Sequence, residues 1–294
     1  MKRFKIKNKG DFVMDLVITV ILLALVVVTL YPVWYVIVAS FSNSTDIAKN
    51  PGFMLWPEQF EVQAYKLVFQ HHLFRTGFMN SILILLGELP LSLLLTVLTG
   101  YFMSRTNMYW KKPIVGLFMF TMFFSGGLIP GYLNIKSLGL YDTLWALILP
   151  GALSIYNAII CKTAMEAIPD SLSESAYIDG ANDFQILFKI ILPLIKPTLA
   201  VLALYYGVAK WNDWFQASVY IRSDELLPIQ NVLRSVLLQN SDNDRSALVG
   251  DNFNQYAETI KYAAIVISTA PIMCVYPFLQ KYFTKGVMIG AVKG

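Results

Sequence analysis

An all-α integral membrane protein with six transmembrane helices is the fold class this sequence predicts, and three observations predict it. Hydrophobic residues fill 56% of the 294 positions and charged residues only 14%, against ~25% charged in soluble domains. Several apolar runs reach the ~20 residues that cross a bilayer. Basic residues gather beside those runs, with Lys2, Arg3, Lys5, Lys7 and Lys9 before the first and Arg105, Lys111 and Lys112 after the second. That is the pattern of cytoplasmic flanks. A soluble domain so poor in charge would expose large apolar patches. The net charge of +4 gives no reason to expect a nucleic-acid partner, whereas the composition implies the lipid bilayer.

The spans are expected, in order, at roughly 13–39, 78–104, 114–133, 143–165, 194–220 and 259–282. The first is too long for a signal-peptide core and ends in bulky Tyr31-Pro32-Val33-Trp34-Tyr35, so it reads as uncleaved. The third meets Gly126-Gly127 and Pro130, which predict a broken outer end. The fourth contains Pro150-Gly151. Such breaks are tolerated where neighbouring helices or water satisfy the freed backbone groups. With the basic clusters inside, both termini are cytoplasmic. The organisation is then a short N-terminal segment (1–12), a transmembrane domain (13–285) and a C-terminal tail (286–294). The outer loops are 40–77 and 221–258, and the inner loop is 166–193. In "LPIQNVLRSVLLQN" (227–240), Ile229, Val232, Leu233, Val236 and Leu237 share one helical face, which suits a helix on the membrane or against a partner. Cys161 and Cys274 lie in apolar segments and read as core fillers. His71-His72 lacks the spaced partners of a metal site.

The inner loop is the most informative stretch. Pro169 stops the fourth span. Ser171 and Glu174 have capping-box spacing, which predicts a short helix, and Gly180 suits its left-handed end. A second amphipathic segment follows, with Phe184, Leu187, Phe188, Ile191 and Leu194 apolar, and Pro193 and Pro197 mark entry to the fifth span. Glu174-Ser175-Ala176, three residues, Gly180, nine residues, then Ile190-Ile191-Leu192-Pro193 resembles the "EAA" loop of permease subunits of binding-protein-dependent ABC importers. Ser175 stands where that pattern has alanine. "YIDGAN" (177–182), "LPLIKPTLA" (192–200) and "WNDWF" (211–215) resemble the carbohydrate permeases. The tail "GAVKG" (290–294) is similar to that of maltose permeases, and "GGLIPGYLNIKSLGLYDTLWALILPG" (126–151) to permeases for oligosaccharides derived from complex polysaccharides.

The resemblance implies a type I ABC importer permease. This chain would be non-catalytic and bind no cofactor. Two partner ATPase subunits would carry ATP and Mg, a second homologous permease would complete a heterodimer, and an extracytoplasmic solute-binding protein would deliver an oligosaccharide. Glu174, Ser175, Ala176, Asp179 and Gly180 would form the coupling helix, and Gly290, Lys293 and Gly294 would reach the ATPases. The absence of GxxxxGK[ST] agrees that the energy source lies on another chain. Neither HExxH nor GxSxG is present, so no motif points to an embedded enzyme. No internal repeat supports an ion-driven secondary transporter, whose sites lie on repeated broken helices.

Intramembrane charges are candidate sites by default. Glu88 lies 16 residues before Ser104, and Lys210 lies 17 residues after Pro193, each about 25 Å up at ~1.5 Å per residue. They are expected at one height, as an ion pair facing the central cavity or as a structural pair between helices. Trp211 and Trp214 offer flat faces for sugar rings, and Asn212 and Asp213 offer hydrogen bonds to hydroxyls. The alternative for the tryptophans is an aromatic belt. Tyr156 and Asn157 join these as substrate-pathway candidates.

Overall fold

The structure, a computed structural model, describes residues 9–105, 108–238 and 253–290. All regular elements among them are helical. In chain order they are α1 (Lys9–Ser40), α2 (Ser44–Lys49), α3 (Gln63–Gln70), α4 (His72–Ser104), α5 (Lys111–Phe123), α6 (Leu128–Ser137), α7 (Trp145–Ile148), α8 (Ile155–Glu166) and α9 (Asp170–Ile178). Next come α10 (Asp183–Gln185), a π-helical turn (Ile186–Ile191), α11 (Leu192–Leu194), α12 (Lys196–Trp211), α13 (Phe215–Tyr220), α14 (Ile229–Leu238) and α15 (Phe253–Gly290). The chain forms two compact units, Met1–His71 with Val236–Ile267, and His72–Ser235 with Ser268–Gly294. Lys2, Arg3, Lys5, Lys7, Lys293, Gly294 and the polar stretch after α14 lie outside the described residues.

Six continuous spans are not what the helices provide. Among the described residues three helices are long and apolar enough to cross a membrane, at Phe12–Ser40, His72–Ser104 and Tyr256–Pro277. The number rises to five if two bent pairs each count as one span, α5 with α6 (116°) and Asp183–Leu194 with α12 (83°). The first bend falls at the expected Gly126-Gly127, where Gly127 takes φ +90°. The expected fourth span divides into four-residue α7 and twelve-residue α8. Pro150 has no N–H to continue α7, and α8 at ~1.5 Å per residue is about 18 Å long. Ser154 restarts the helix by accepting from Asn157 N at 3.4 Å. The expected fifth span also stops early, with α12 ending at Trp211 and α13 beginning at Phe215.

In the first unit the C-terminal end of α1 is held by aromatic hydroxyls and an indole. Tyr31 Oη donates to Gly52 O at 2.9 Å and Trp34 Nε1 to Leu55 O at 3.0 Å. Val38, Ala39, Ile47 and Met54 pack with Tyr35 and Tyr262. The rest of α1 is apolar and exposed, from Phe12 to Leu30.

The second unit is organised by α4. Its buried face includes Gly77, Ser81, Ile84, Glu88, Ser92, Thr96 and Gly100, a run of mostly small residues at helical spacing that lets helices approach closely. A Cβ on Gly100 would lie 3.0 Å from Cys161 Cβ on α8. Tyr206 of α12 joins three elements, sharing a 2.7 Å hydrogen bond with Thr96 and accepting from Ser154 N at 3.0 Å. Cys161 is a buried core residue as expected, whereas Cys274 is exposed. The first half of α14 packs on its own chain. Ile229 N donates to Ser81 Oγ at 2.9 Å, and Asn80 Nδ2 donates to the carbonyls of Glu225 and Leu227. Ile229, Val232 and Leu233 are buried, but Leu237 is exposed, so only the first half of the predicted apolar face is covered.

Candidate functional site

Two polar centres lie along α4, one at its C-terminal end and one at its middle. The first is built on the 166–193 loop. α9 begins at Asp170, with Pro169 preceding it and no side-chain cap. The expected capping box is therefore absent, because Ser171 and Glu174 already lie inside the helix. Asp170 in the first turn complements the helix dipole instead. The C-terminus closes as a Schellman motif. Gly180 N donates to Tyr177 O at 3.0 Å, and Ala181 N to Ala176 O at 2.9 Å. Gly180 takes φ +82°, which costs a glycine little.

Ser173 and Ala176 face inward, and Ala176 belongs to a core with Val97, Cys161, Met165, Ile186, Leu187 and Ile191. Glu174, Ser175 and Asp179 face outward, as do Leu172 and Ile178, the latter 87% exposed. The following segment is amphipathic, but its buried face differs from the expected one. Ile186, Leu187 and Ile191 are buried, whereas Phe184, Phe188 and Leu194 are exposed. In a π-helix the i→i+5 repeat puts Ile186 and Ile191 on one face, which an α-helical count misassigns.

A hydrogen-bonded cluster ties this loop to the C-terminal end of α4. Asp183 Oδ1 accepts from Tyr177 Oη at 2.5 Å and from Tyr101 Oη at 2.9 Å. These bonds, Tyr177's first, hold the Asp183 carboxyl below its ordinary pKa. The Arg105 guanidinium lies 4.4 Å from the Tyr101 ring centroid, and its Nη2 donates to Ser173 Oγ at 3.5 Å. Asn182 and Gln185 form a reciprocal capping box beside Asp183. Sequence reasoning missed this cluster. Its signal was an aspartate six residues after a tyrosine, which carries no motif.

The second centre lies where both broken helices stop. Lys210 Nζ is 3.3 Å from Glu88 Oε2 and 3.7 Å from Asp213 Oδ2. It also donates to Leu147 O at 2.8 Å and to Gln216 Oε1 at 3.3 Å. Leu147 lies in the last turn of α7, so the ammonium caps a carbonyl left open by the Pro150 break. Asp213 Oδ1 accepts from Gln216 N at 3.2 Å and caps the start of α13. A Cβ on Gly151 would lie 3.3 Å from Glu88 Oε1 and 3.5 Å from Lys210 Nζ. Glycine thus lets the broken backbone approach the pair. Glu88 and Lys210 meet, and both are enclosed.

The remaining candidates separate. Trp211 is buried, donates from Nε1 to Ser268 O at 2.9 Å and meets Phe78 edge-on. It also lines an apolar cleft of about 440 Å³ between α4, α12 and α15. Asn212 and Trp214 are exposed, with the Arg234 guanidinium 3.8 Å from the Trp214 ring centroid. Tyr156 is exposed and Asn157 buried. Gly290 ends α15. Among the described residues no group of His, Cys, Asp and Glu is arranged to hold a metal.

The polygalacturonan/rhamnogalacturonan transport system permease protein YtcP of Bacillus subtilis (strain 168) is 39% identical over 95% of this chain and 98% of its own length. Protein LplC of the same organism is 41% identical over 91% of this chain and 90% of its own. Among solved structures, a chain of a bacterial ABC transporter involved in the import of the acidic polysaccharide alginate superposes with a TM-score of 0.88. It is 31% identical, covering 95% of this chain and all of that one. The family described as binding-protein-dependent transport system inner membrane component matches residues 4–289, and this chain belongs to it.

Proposed function

We propose that this chain is one of two permease subunits of an ABC importer for an oligosaccharide released from a complex polysaccharide, and that α9 is its coupling helix. The observation that carries the reading is α9 itself. It is short, closed by Gly180, and turns Leu172 and Ile178 outward beside Glu174 and Asp179. Exposed apolar residues amid charge suit a docking surface. Two ATPase subunits supply ATP and Mg, and Glu174 pairs with a basic group on one of them. A second, homologous permease completes the pathway, and an extracytoplasmic binding protein delivers the sugar. Both termini are cytoplasmic, and the tail with Gly290, Lys293 and Gly294 reaches toward the ATPases.

In this mechanism the chain itself performs no chemistry. ATPase closure displaces α9. The Asp183–Tyr101 bond and the Ala176–Ile186–Val97 packing carry the displacement to α4 and α8, which alternate the pathway between its two openings. Glu88, Lys210 and Asp213 hold the broken helices in place, leaving Asn212, Trp214 and Tyr156 as the pathway candidates with exposed side chains. Relatives named for polygalacturonan, rhamnogalacturonan and alginate support a sugar substrate.

The test is sugar uptake into vesicles holding the reconstituted complex, with ATP inside and the binding protein outside. Uptake that needs the ATPase subunits is expected. Uptake by this chain without them would overturn the reading, and ATP-driven uptake of a non-sugar solute alone would overturn its substrate class.

A further inference from the structure

Two cations adjoin the "WNDWF" stretch, and the structure gives them different surroundings. Lys210 is held by Glu88, Asp213, the Leu147 carbonyl and Gln216. Its charge is consumed inside the chain. Arg234 is exposed, and among the described residues it has no carboxylate within ion-pair distance. Its guanidinium carbon lies over the Trp214 ring, 3.8 Å from the centroid. A ring contact of this kind consumes no hydrogen-bond acceptor, and a guanidinium presents an N–H fork that matches the two oxygens of a carboxylate.

The support under this pair is built. Asn231, 91% buried, donates from Nδ2 to Trp214 O at 3.0 Å and to Ser218 Oγ at 2.9 Å. It fastens α14, which carries Arg234, to the α12–α13 break, which carries Trp214. Its Oδ1 is buried without a hydrogen-bond partner. Irregular backbone in a membrane protein occurs where it is packed in protein or lines a water-filled cavity, and at this break the exposed side chains are Asn212 and Trp214.

We infer that Arg234 and Trp214 form a subsite for an acidic sugar, Arg234 taking the carboxylate of a hexuronate unit while the exposed part of the Trp214 indole meets a pyranose ring. The inference rests on the proposed sugar-permease function and assigns the charge selectivity to Arg234 rather than to Lys210. A docking contact for the binding protein is the competing role for the same arginine.

The test uses the complete complex in vesicles, with trigalacturonate and maltotriose as probes. Initial uptake is measured at sub-saturating sugar for the unaltered protein, Arg234→Gln and Arg234→Lys. Uptake of trigalacturonate is expected to fall about tenfold in Arg234→Gln, the loss of one charge-assisted pair. Arg234→Lys, which keeps the charge but loses the fork, should fall between. Affinity of the complex for sugar-free binding protein is measured on the same variants and is expected to stay unchanged. Unchanged trigalacturonate uptake in Arg234→Gln would overturn the subsite. So would a matching loss of affinity for sugar-free binding protein, which would make Arg234 a protein contact. Uptake of maltotriose alone by the unaltered protein would overturn the acidic class and leave the sugar-permease reading standing. Uptake of neither sugar would remove the reading beneath it.

Discussion

The polar centre at the middle of α4 and the one at its C-terminal end differ in depth and in redundancy. At the broken helices the Lys210 and Glu88 side chains are 10% and 5% exposed, and one ammonium serves two carboxylates, a side-chain amide and a backbone carbonyl. At the C-terminal end of α4 Asp183 is exposed and accepts from two phenols, beside a separate Arg105–Ser173 bond. Removing one partner from an enclosed charge cluster strands the others, whereas removing one from an exposed cluster lets water replace it. The deep centre therefore holds the fold, and the shallow one sets how firmly α9 grips α4.

That contrast ranks the expected effects of substitution. Lys210→Met strands Glu88 and Asp213 and should cost about 3–5 kcal/mol, read as a large drop in the thermal unfolding temperature of the purified complex. Adding Glu88→Gln to it should restore part of the loss. A double variant no better than the single one would show that the pair does not act together. Gly100→Ala comes next. Its Cβ would lie 3.0 Å from Cys161 Cβ and 3.2 Å from Lys162 N, and backbone cannot yield easily, so about 1–3 kcal/mol is expected in the same assay.

Gly180→Val should cost about 1–2 kcal/mol for its left-handed backbone, and Gly180→Asn much less. No atom lies within 4 Å of a Cβ there, so backbone conformation and not crowding is tested. Equal effects of valine and asparagine would contradict this account.

The smallest expected effect is that of pH. Because the folded Asp183 pKa is depressed, its contribution is fully present above the ordinary carboxylate pKa and is lost as pH falls through the folded value. Sugar imported per ATP should be flat between about pH 8 and pH 5, well above the ordinary Asp value. A decline within that range traced to Asp183 would place its carboxyl above the ordinary range.

The loop motif, the positive-φ Gly180, the Gly126-Gly127 break and the meeting of Glu88 with Lys210 were all legible in the sequence. Each follows from local rules, namely spacing, glycine chemistry or residue counts along a helix. The rest depended on tertiary geometry. A π-turn at Ile186–Ile191 shifted the register of the apolar positions on either side of it, and periodicity alone could not reveal a change of period. The fourth and fifth spans read as continuous because apolar composition persists through Pro150-Gly151 and 212–214. Lys210 satisfies backbone groups freed by the first break and Asp213 caps the restart after the second, roles that sequence did not disclose. Arg234 went unnoticed because its partner Trp214 lies twenty residues away, at the α12–α13 break.

The most direct test of the contrast is the number of sugars imported per ATP hydrolysed, compared between Asp183→Ala and the Glu88→Gln/Lys210→Met pair in reconstituted complexes at equal assembly. The account predicts that Asp183→Ala lowers this ratio several-fold by loosening α9 from α4, while the deep pair, once assembled, keeps it. A ratio unchanged in Asp183→Ala and lowered in the deep pair would contradict the account and make the charges at the broken helices part of the transport machinery.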